Sequence, residues 1–155
     1  MRPSRSEEEQ IVVWVGVIAQ LTRTRINQIL GQTSLPYPQF VLLLHFCHDP
    51  GREWTVSSLA DAFQTNQPGI TKTVKKLIER RYLSARPDPR DARVRRLRVT
   101  KSGIRARNQA IARMGPDLAE AFRGWKRSDV SALHRHLERL KDHLDANRNP
   151  RIEPS

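Results

Sequence analysis

The chain has 155 residues, 37% of them apolar, and carries 28 Lys and Arg against 16 Asp and Glu for a formal net charge of +12. A single cysteine, Cys47, excludes an intramolecular disulfide framework and fits a reducing cytoplasm. No secretory signal is expected, and the apolar run at positions 11 to 19 is too short to span a bilayer.

A pI near 11.1 leaves nucleic acid, an anionic membrane or an acidic protein as partners. The charge is local. Residues 66 to 113 hold 15 Lys and Arg against 3 Asp and Glu, whereas the rest of the chain holds 13 against 13. A membrane surface would call for a cationic amphipathic helix with bulky apolar anchors. Here the charge falls on a helix followed by a hairpin, which favours nucleic acid.

Residues 1–6 read as a disordered tail. From Glu7 to about Leu30, Ile11, Trp14, Ile18, Leu21, Ile26 and Ile29 recur at helical spacing, and valines at 12, 13, 15 and 17 widen the stripe. Glu7, Glu8 and Glu9 suit the positive end of its dipole. A helix apolar on most sides needs neighbours from more than one direction, so residues 7–35 are assigned to dimerisation. A low apolar content points the same way, because association buries more surface.

Pro36 and Pro38 mark a new start. The second helix, Tyr37 to His48, is expected to turn Phe40, Val41, Leu43, Leu44 and Cys47 inward, and Asp49-Pro50-Gly51 ends it. Arg52 to Trp54 read as a short strand. Thr55 is the expected N-cap of a third helix with Val56, Leu59, Ala60 and Phe63 inward.

Three residues, Gln64-Thr65-Asn66, lead into a fourth helix at about 66–81. Two short helices joined by such a turn form a helix-turn-helix. Ile70, Val74, Leu77 and Ile78 supply its inner face, leaving Gln67, Pro68, Thr71, Lys72, Lys75 and Lys76 outward. Strands at 82–85 and 94–99 flank a stiff charged turn, with Leu97 and Val99 on one face and Arg96 and Arg98 on the other. Thr100 caps a fifth helix with Ile104, Ile111, Met114 and Leu118 inward, and Gly115-Pro116 is expected to kink or interrupt it. Val130, Leu133, Leu137, Leu140 and Leu144 then recur at spacings of three, four, three and four, a coiled-coil seam. The expected fold is mainly α with a small β-wing. A winged helix-turn-helix domain at 36–100 is joined to dimerisation helices at 7–35 and 101–146, and a tail follows at 147–155.

With these elements in order, the chain resembles the MarR family of bacterial winged helix-turn-helix regulators. The sharpest match runs from Asp88-Pro89-Arg90-Asp91-Ala92-Arg93 through Val94 to Leu97 into Val99-Thr100-Lys101-Ser102-Gly103. Val56-Ser57-Ser58-Leu59-Ala60 and Asn66-Gln67-Pro68-Gly69-Ile70-Thr71-Lys72 resemble the two helix-turn-helix segments, and Gln67-Pro68 resembles the SlyA-like branch. The sequence departs from the family's pattern at Arg81 and Gln64, where glycine is usual.

The resemblance implies a cytoplasmic homodimer on the bacterial nucleoid, interlocked through its terminal helices, that binds a palindromic double-stranded DNA operator. Half-sites would lie about 34 Å apart. No cofactor is implied, but the family's effectors are small aromatic or anionic molecules.

Alone, the outward residues of the fourth helix would read as a solvated face. Within a helix-turn-helix followed by a basic wing they read as DNA contacts. Gln67 and Thr71 are suited to base edges, and Lys72, Lys75 and Lys76 to phosphate. In the wing, the family pattern implies that Arg90 or Arg93 enters the minor groove with Asp91 holding it, Arg93 first. Arg86, Arg95, Arg96 and Arg98 divide between phosphate contacts and solubilising charges, with Arg95 taken as a contact.

Trp14 and His45 are the candidates for an effector pocket, set against a simple core or interface role. The dimer interface is expected at Ile11, Val130, Leu133, Leu137, Leu140 and Leu144. Cys47 reads as a buried inert thiol. His45, His48 and Asp49 lack a second cluster, so no metal site is expected. No nucleophile–base pair, paired carboxylates or Gly-rich phosphate loop appears, so catalysis is not expected. The competing reading is a non-specific architectural nucleic-acid binder. That reading wants stacking or wedging aromatics, and Tyr82 is the only one in the basic segment.

Overall fold

A computed structural model describes residues 6–31, 33 and 35–148. Among them run α1 (Glu7–Leu30), α2 (Tyr37–His48), α3 (Val56–Ala62), α4 (Gln67–Glu79), β1 (Leu83–Pro87), β2 (Arg95–Val99), α5 (Lys101–Ala121) and α6 (Arg127–Ala146). The fold is mainly α with a two-stranded antiparallel wing, as expected. The chain forms two compact units, Met1–Met114 and Gly115–Ser155.

In the first unit, side-chain oxygens set where helices start. Ser6 Oγ accepts from the Glu9 N–H at 3.2 Å, and Glu9 returns the bond to the Ser6 N–H at 3.3 Å. This capping box makes Ser6 part of the helix start rather than of a tail; positions 1–5 lie outside the described residues. Thr55 and Ser58 form a second box. The Asn66 side chain accepts from the Gly69 N–H at 2.9 Å, and Thr100 Oγ1 from the Gly103 N–H at 3.1 Å. Each cap satisfies an N–H that the helix itself leaves orphaned.

The core is centred on α2. Gln39, Leu42, Leu43 and Phe46 are buried at i, i+3, i+4 and i+7, and Phe40 and Cys47 widen the stripe. Leu44, expected inward, falls outside that arc and is 38% exposed, while Leu42 and Phe46 take its place. Leu59 of α3, Val74 and Leu77 of α4, and Leu83, Leu97 and Val99 of the wing pack into the same cluster.

The wing pairs Leu83 with Val99, Ala85 with Leu97, Arg86 with Arg96 and Pro87 with Arg95. β1 starts one residue later than expected and runs to Pro87, a strand end where a missing N–H is tolerated. The expected strand at Arg52–Trp54 reduces to one bridge, Trp54 to Leu97. There the Trp54 N–H donates to the Leu97 carbonyl at 3.0 Å and the Leu97 N–H to the Trp54 carbonyl at 2.7 Å.

The two positions that depart from the family's glycines are the non-glycine residues with positive φ among those described, Gln64 at 48° and Arg81 at 59°. Each ends a helix. The Tyr82 and Arg81 N–H groups donate to the Leu77 and Ile78 carbonyls, and the Thr65 and Gln64 N–H groups to those of Ala60 and Asp61. This is the Schellman arrangement, normally completed by glycine, and a non-glycine residue there carries about 1 kcal/mol of strain. It also ends α4 at Glu79, short of the expected Arg81.

The second unit holds the end of α5 and α6. α5 passes through Gly115-Pro116 without interruption, contrary to expectation. Ala112, whose carbonyl loses its partner N–H at Pro116, is exposed and so open to water. The boundary between the two compact units falls at this dipeptide. Leu118, expected inward, is 50% exposed, because it lies on the α5 segment beyond that boundary. α6 buries no residue in the single chain, with Leu137 46% and Leu144 59% exposed. Asn147 closes α6, its side-chain amide donating to the His143 carbonyl at 2.8 Å, so it is a helix end rather than tail. Positions 149–155 lie outside the described residues.

Candidate nucleic-acid interface

The apolar face of α4, Ile70, Val74 and Leu77, is buried. Helical geometry then sends Gln67, Pro68, Thr71, Lys72, Lys75 and Lys76 outward, and all six are exposed. The Thr71 hydroxyl donates to the Gln67 carbonyl at 2.9 Å. Its proton is thus committed, and Thr71 faces outward as an acceptor. Gln67 keeps both donor and acceptor functions on its amide.

The wing tip is held by its acids. Asp88 accepts from the Arg90 N–H at 2.7 Å and Asp91 from the Arg93 N–H at 2.9 Å, while the Val94 and Asp88 N–H groups donate to the Asp91 and Val94 carbonyls. Asp91 therefore grips the Arg93 backbone and not its guanidinium, a correction to the expected pairing. A two-residue offset across a turn brings the N–H, not the long side chain, to the carboxylate. Among the described residues the Arg90 and Arg93 guanidinium groups have no ion-pair partner.

The four remaining wing arginines separate by their partners. Arg86 donates two hydrogen bonds to Glu53, at 2.9 and 2.8 Å, and Arg96 pairs with Asp88. Arg98 reaches the Pro50 carbonyl at 3.3 Å and Arg95 the Ala85 carbonyl at 3.5 Å, both weak contacts that leave the charges unneutralised. The Arg86 guanidinium holds the Glu53 carboxyl below its ordinary range. The Arg90 N–H, followed by Arg96, does the same for Asp88. Glu53 carries no local sequence signal, since its partners lie more than thirty positions away.

His45 packs against Trp54 with ring centroids 4.3 Å apart and planes tilted by 57°, and meets Phe63 edge-on at 5.0 Å. Trp14, on α1, is 59% exposed. No ring contact or hydrogen bond joins the two among the described residues. Arg23, Tyr37, Val41, Phe63 and Gly69 line a cavity of about 380 Å³ that borders the start of α4, and neither Trp14 nor His45 lines it. Among the described residues no group of three His, Cys, Asp or Glu is placed to hold a metal ion, and Cys47 is buried. No helix there is long and apolar enough to cross a membrane.

His45 Nε2 is buried without a hydrogen-bond partner among the described residues. Burial, then the charges of Arg52 and His48, push its pKa below the ordinary 6.5. The unfolded chain therefore binds this proton more readily than the folded one, and stability falls as pH drops through 6.5. Urea unfolding between pH 7.5 and 5.5 is expected to show a midpoint that declines with acidification. The decline flattens in His45→Leu; an unchanged slope in that variant would exclude His45 as its source.

A helix-turn-helix followed by a basic β-hairpin defines a winged helix-turn-helix protein. Residues 33–93 match the model of the MarR family. The solved structure described as MarR superposes with a TM-score of 0.78 at 20% identity, covering 96% of this chain and 97% of that one. A MarR family protein from Bacillus stearothermophilus gives 0.75 at 21% identity, covering 92% and 99%. The transcriptional regulator SlyA gives 0.70 at 18%, covering 88% and 95%. No curated protein sequence matches. The resemblance read from the sequence is borne out: residues 33–93 match the MarR family model, and the chain shares the winged helix-turn-helix fold of the MarR structures.

Proposed function

We propose that the protein is a homodimeric transcriptional repressor that binds a palindromic operator in double-stranded DNA and is released by a small aromatic or anionic effector. The observation that carries this reading is the exposed polar face of α4, Gln67 to Lys76, beside a wing tip whose Arg90 and Arg93 charges are unpaired among the described residues. Gln67 and Thr71 read base edges in the major groove, and Lys72, Lys75 and Lys76 hold phosphate. Arg93, with Arg90, enters the minor groove. The exposed leucines of α6 and the apolar surface of α1 supply the dimer contact, which sets two such units about one helical turn apart. The cavity beside Gly69 gives an effector access to the start of α4, where a small displacement moves the base readers out of register. The protein works in the bacterial cytoplasm, on the nucleoid.

Selection of duplexes from a randomised library tests the reading. The expected product is an inverted repeat. Gln67→Ala relaxes preference at one base position, for about 1–3 kcal/mol. Lys75→Ala weakens binding to all sequences and lowers the salt slope by about 1. Equal affinity for selected and random duplex would overturn the proposal in favour of a non-specific architectural binder.

A further inference from the structure

Arg86 and Arg96 stand directly opposite each other in the wing ladder. Like charges at directly opposed positions push strands apart, so the wing stem carries an intrinsic electrostatic fault. Glu53 sits between them. Its carboxylate takes both bonds from Arg86, at 2.9 and 2.8 Å, and lies 3.7 Å from Arg96 Nη1, while its side chain is only 20% exposed. Glu53 belongs to neither strand: it precedes Trp54, whose backbone bridges to Leu97, in the linker from α2 to α3. Asp88 takes the closer bond from Arg96, so Glu53 chiefly offsets Arg86, lies near enough to both to lower their repulsion, and fastens the wing to the helix-turn-helix.

From this juxtaposition we infer that Glu53 is a positioning residue for DNA binding, setting the angle at which the wing presents Arg90 and Arg93. The inference rests on the DNA-binding reading above. Its sign is diagnostic. Removing a negative charge from a basic binding surface strengthens DNA binding on electrostatics alone, because each added net positive charge engages the phosphate backbone. Loss of affinity on removing Glu53 must therefore come from lost geometry.

The experiment compares wild type, E53Q and the double variant E53Q/R86M on a duplex selected by the wild-type protein, with amide hydrogen exchange measured on each free protein. E53Q is expected to bind the duplex at least about tenfold more weakly, the scale of one lost specific contact. Exchange at the Trp54 and Leu97 amides accelerates, while that of the α4 amides does not change. In E53Q/R86M, which removes the opposed charge, exchange at Trp54 and Leu97 slows again. If E53Q does not fold, E53D, which keeps the charge on a shorter arm, must show the same pair of changes to a smaller degree. Equal or tighter binding by E53Q overturns the inference, and so does weaker binding with unchanged exchange at Trp54 and Leu97. Failure of the wild-type protein to select any duplex overturns the DNA-binding reading itself, and this inference with it.

Discussion

Leu137→Asp combined with Leu144→Asp leaves the chain monomeric in sedimentation equilibrium and lowers its affinity for the selected duplex at least about a hundredfold. The loss is that large because two linked half-site modules gain about 10²–10⁴ in avidity over one. Both leucines are exposed in the single chain, and no residue of α6 is buried there. The substitutions therefore cost the monomer little packing of its own, and its helical circular dichroism is retained. In an apolar seam the same carboxylates would be buried without partners, at several kcal/mol each. A variant that stays dimeric would remove α6 from the proposed interface.

Gly103→Ala lowers stability by about 1–3 kcal/mol or more, the usual range for forcing an extra group into a packed site. A Cβ at Gly103 would lie 2.3 Å from the Tyr82 carbonyl oxygen, 3.1 Å from its carbon and 3.0 Å from Val99 Cγ2. That carbonyl cannot retreat easily, because it accepts from the Thr100 N–H at 3.0 Å and lies 3.2 Å from the Thr100 hydroxyl. The Tyr82 N–H is itself engaged in closing α4. Gly115→Ala, in the same helix, is the control: among the described residues its Cβ would meet nothing within 4 Å, and the gain in helix propensity stabilises by up to about 1 kcal/mol. Thermal melts of both variants check the contrast. Similar effects at the two sites would remove the steric account.

The Gly103 clash also gives a physical reason for one part of the motif that carried the resemblance. In Val99-Thr100-Lys101-Ser102-Gly103, Thr100 caps α5 and ties its hydroxyl to the Arg81 carbonyl at 2.7 Å, and Gly103 lets α5 approach the end of α4. The motif is a joint between α4 and α5, written in adjacent residues and therefore legible. Capping is legible for the same reason at Thr55 and Thr100; Ser6 and Asn66 cap α1 and α4 by equally local bonds, although the sequence reading puts Ser6 in the tail and Asn66 inside the helix.

Side-chain partners across the chain were a different matter. Asp91, placed beside Arg93 by the motif, turned out to hold only its backbone. Glu53, which has no motif, takes the wing's Arg86, and Asp88 takes Arg96. Four arginines that look equivalent in a row of charge are divided by contacts up to 48 positions away.

Periodicity and punctuation alone determined the order of elements, both ends of α1 and α2, the outward face of α4 and the alternation of Leu97 and Val99 with Arg96 and Arg98. These follow from backbone geometry, which repeats every 3.6 or 2 residues whatever the chain packs against. Only the tertiary structure decided that Leu44 faces out while Leu42 and Phe46 face in, that α5 runs through Pro116, and that Glu53 pairs with the wing's Arg86. Each of those depends on what lies across from a residue in space. Local sequence sets the direction of a side chain but not the neighbour it finds there.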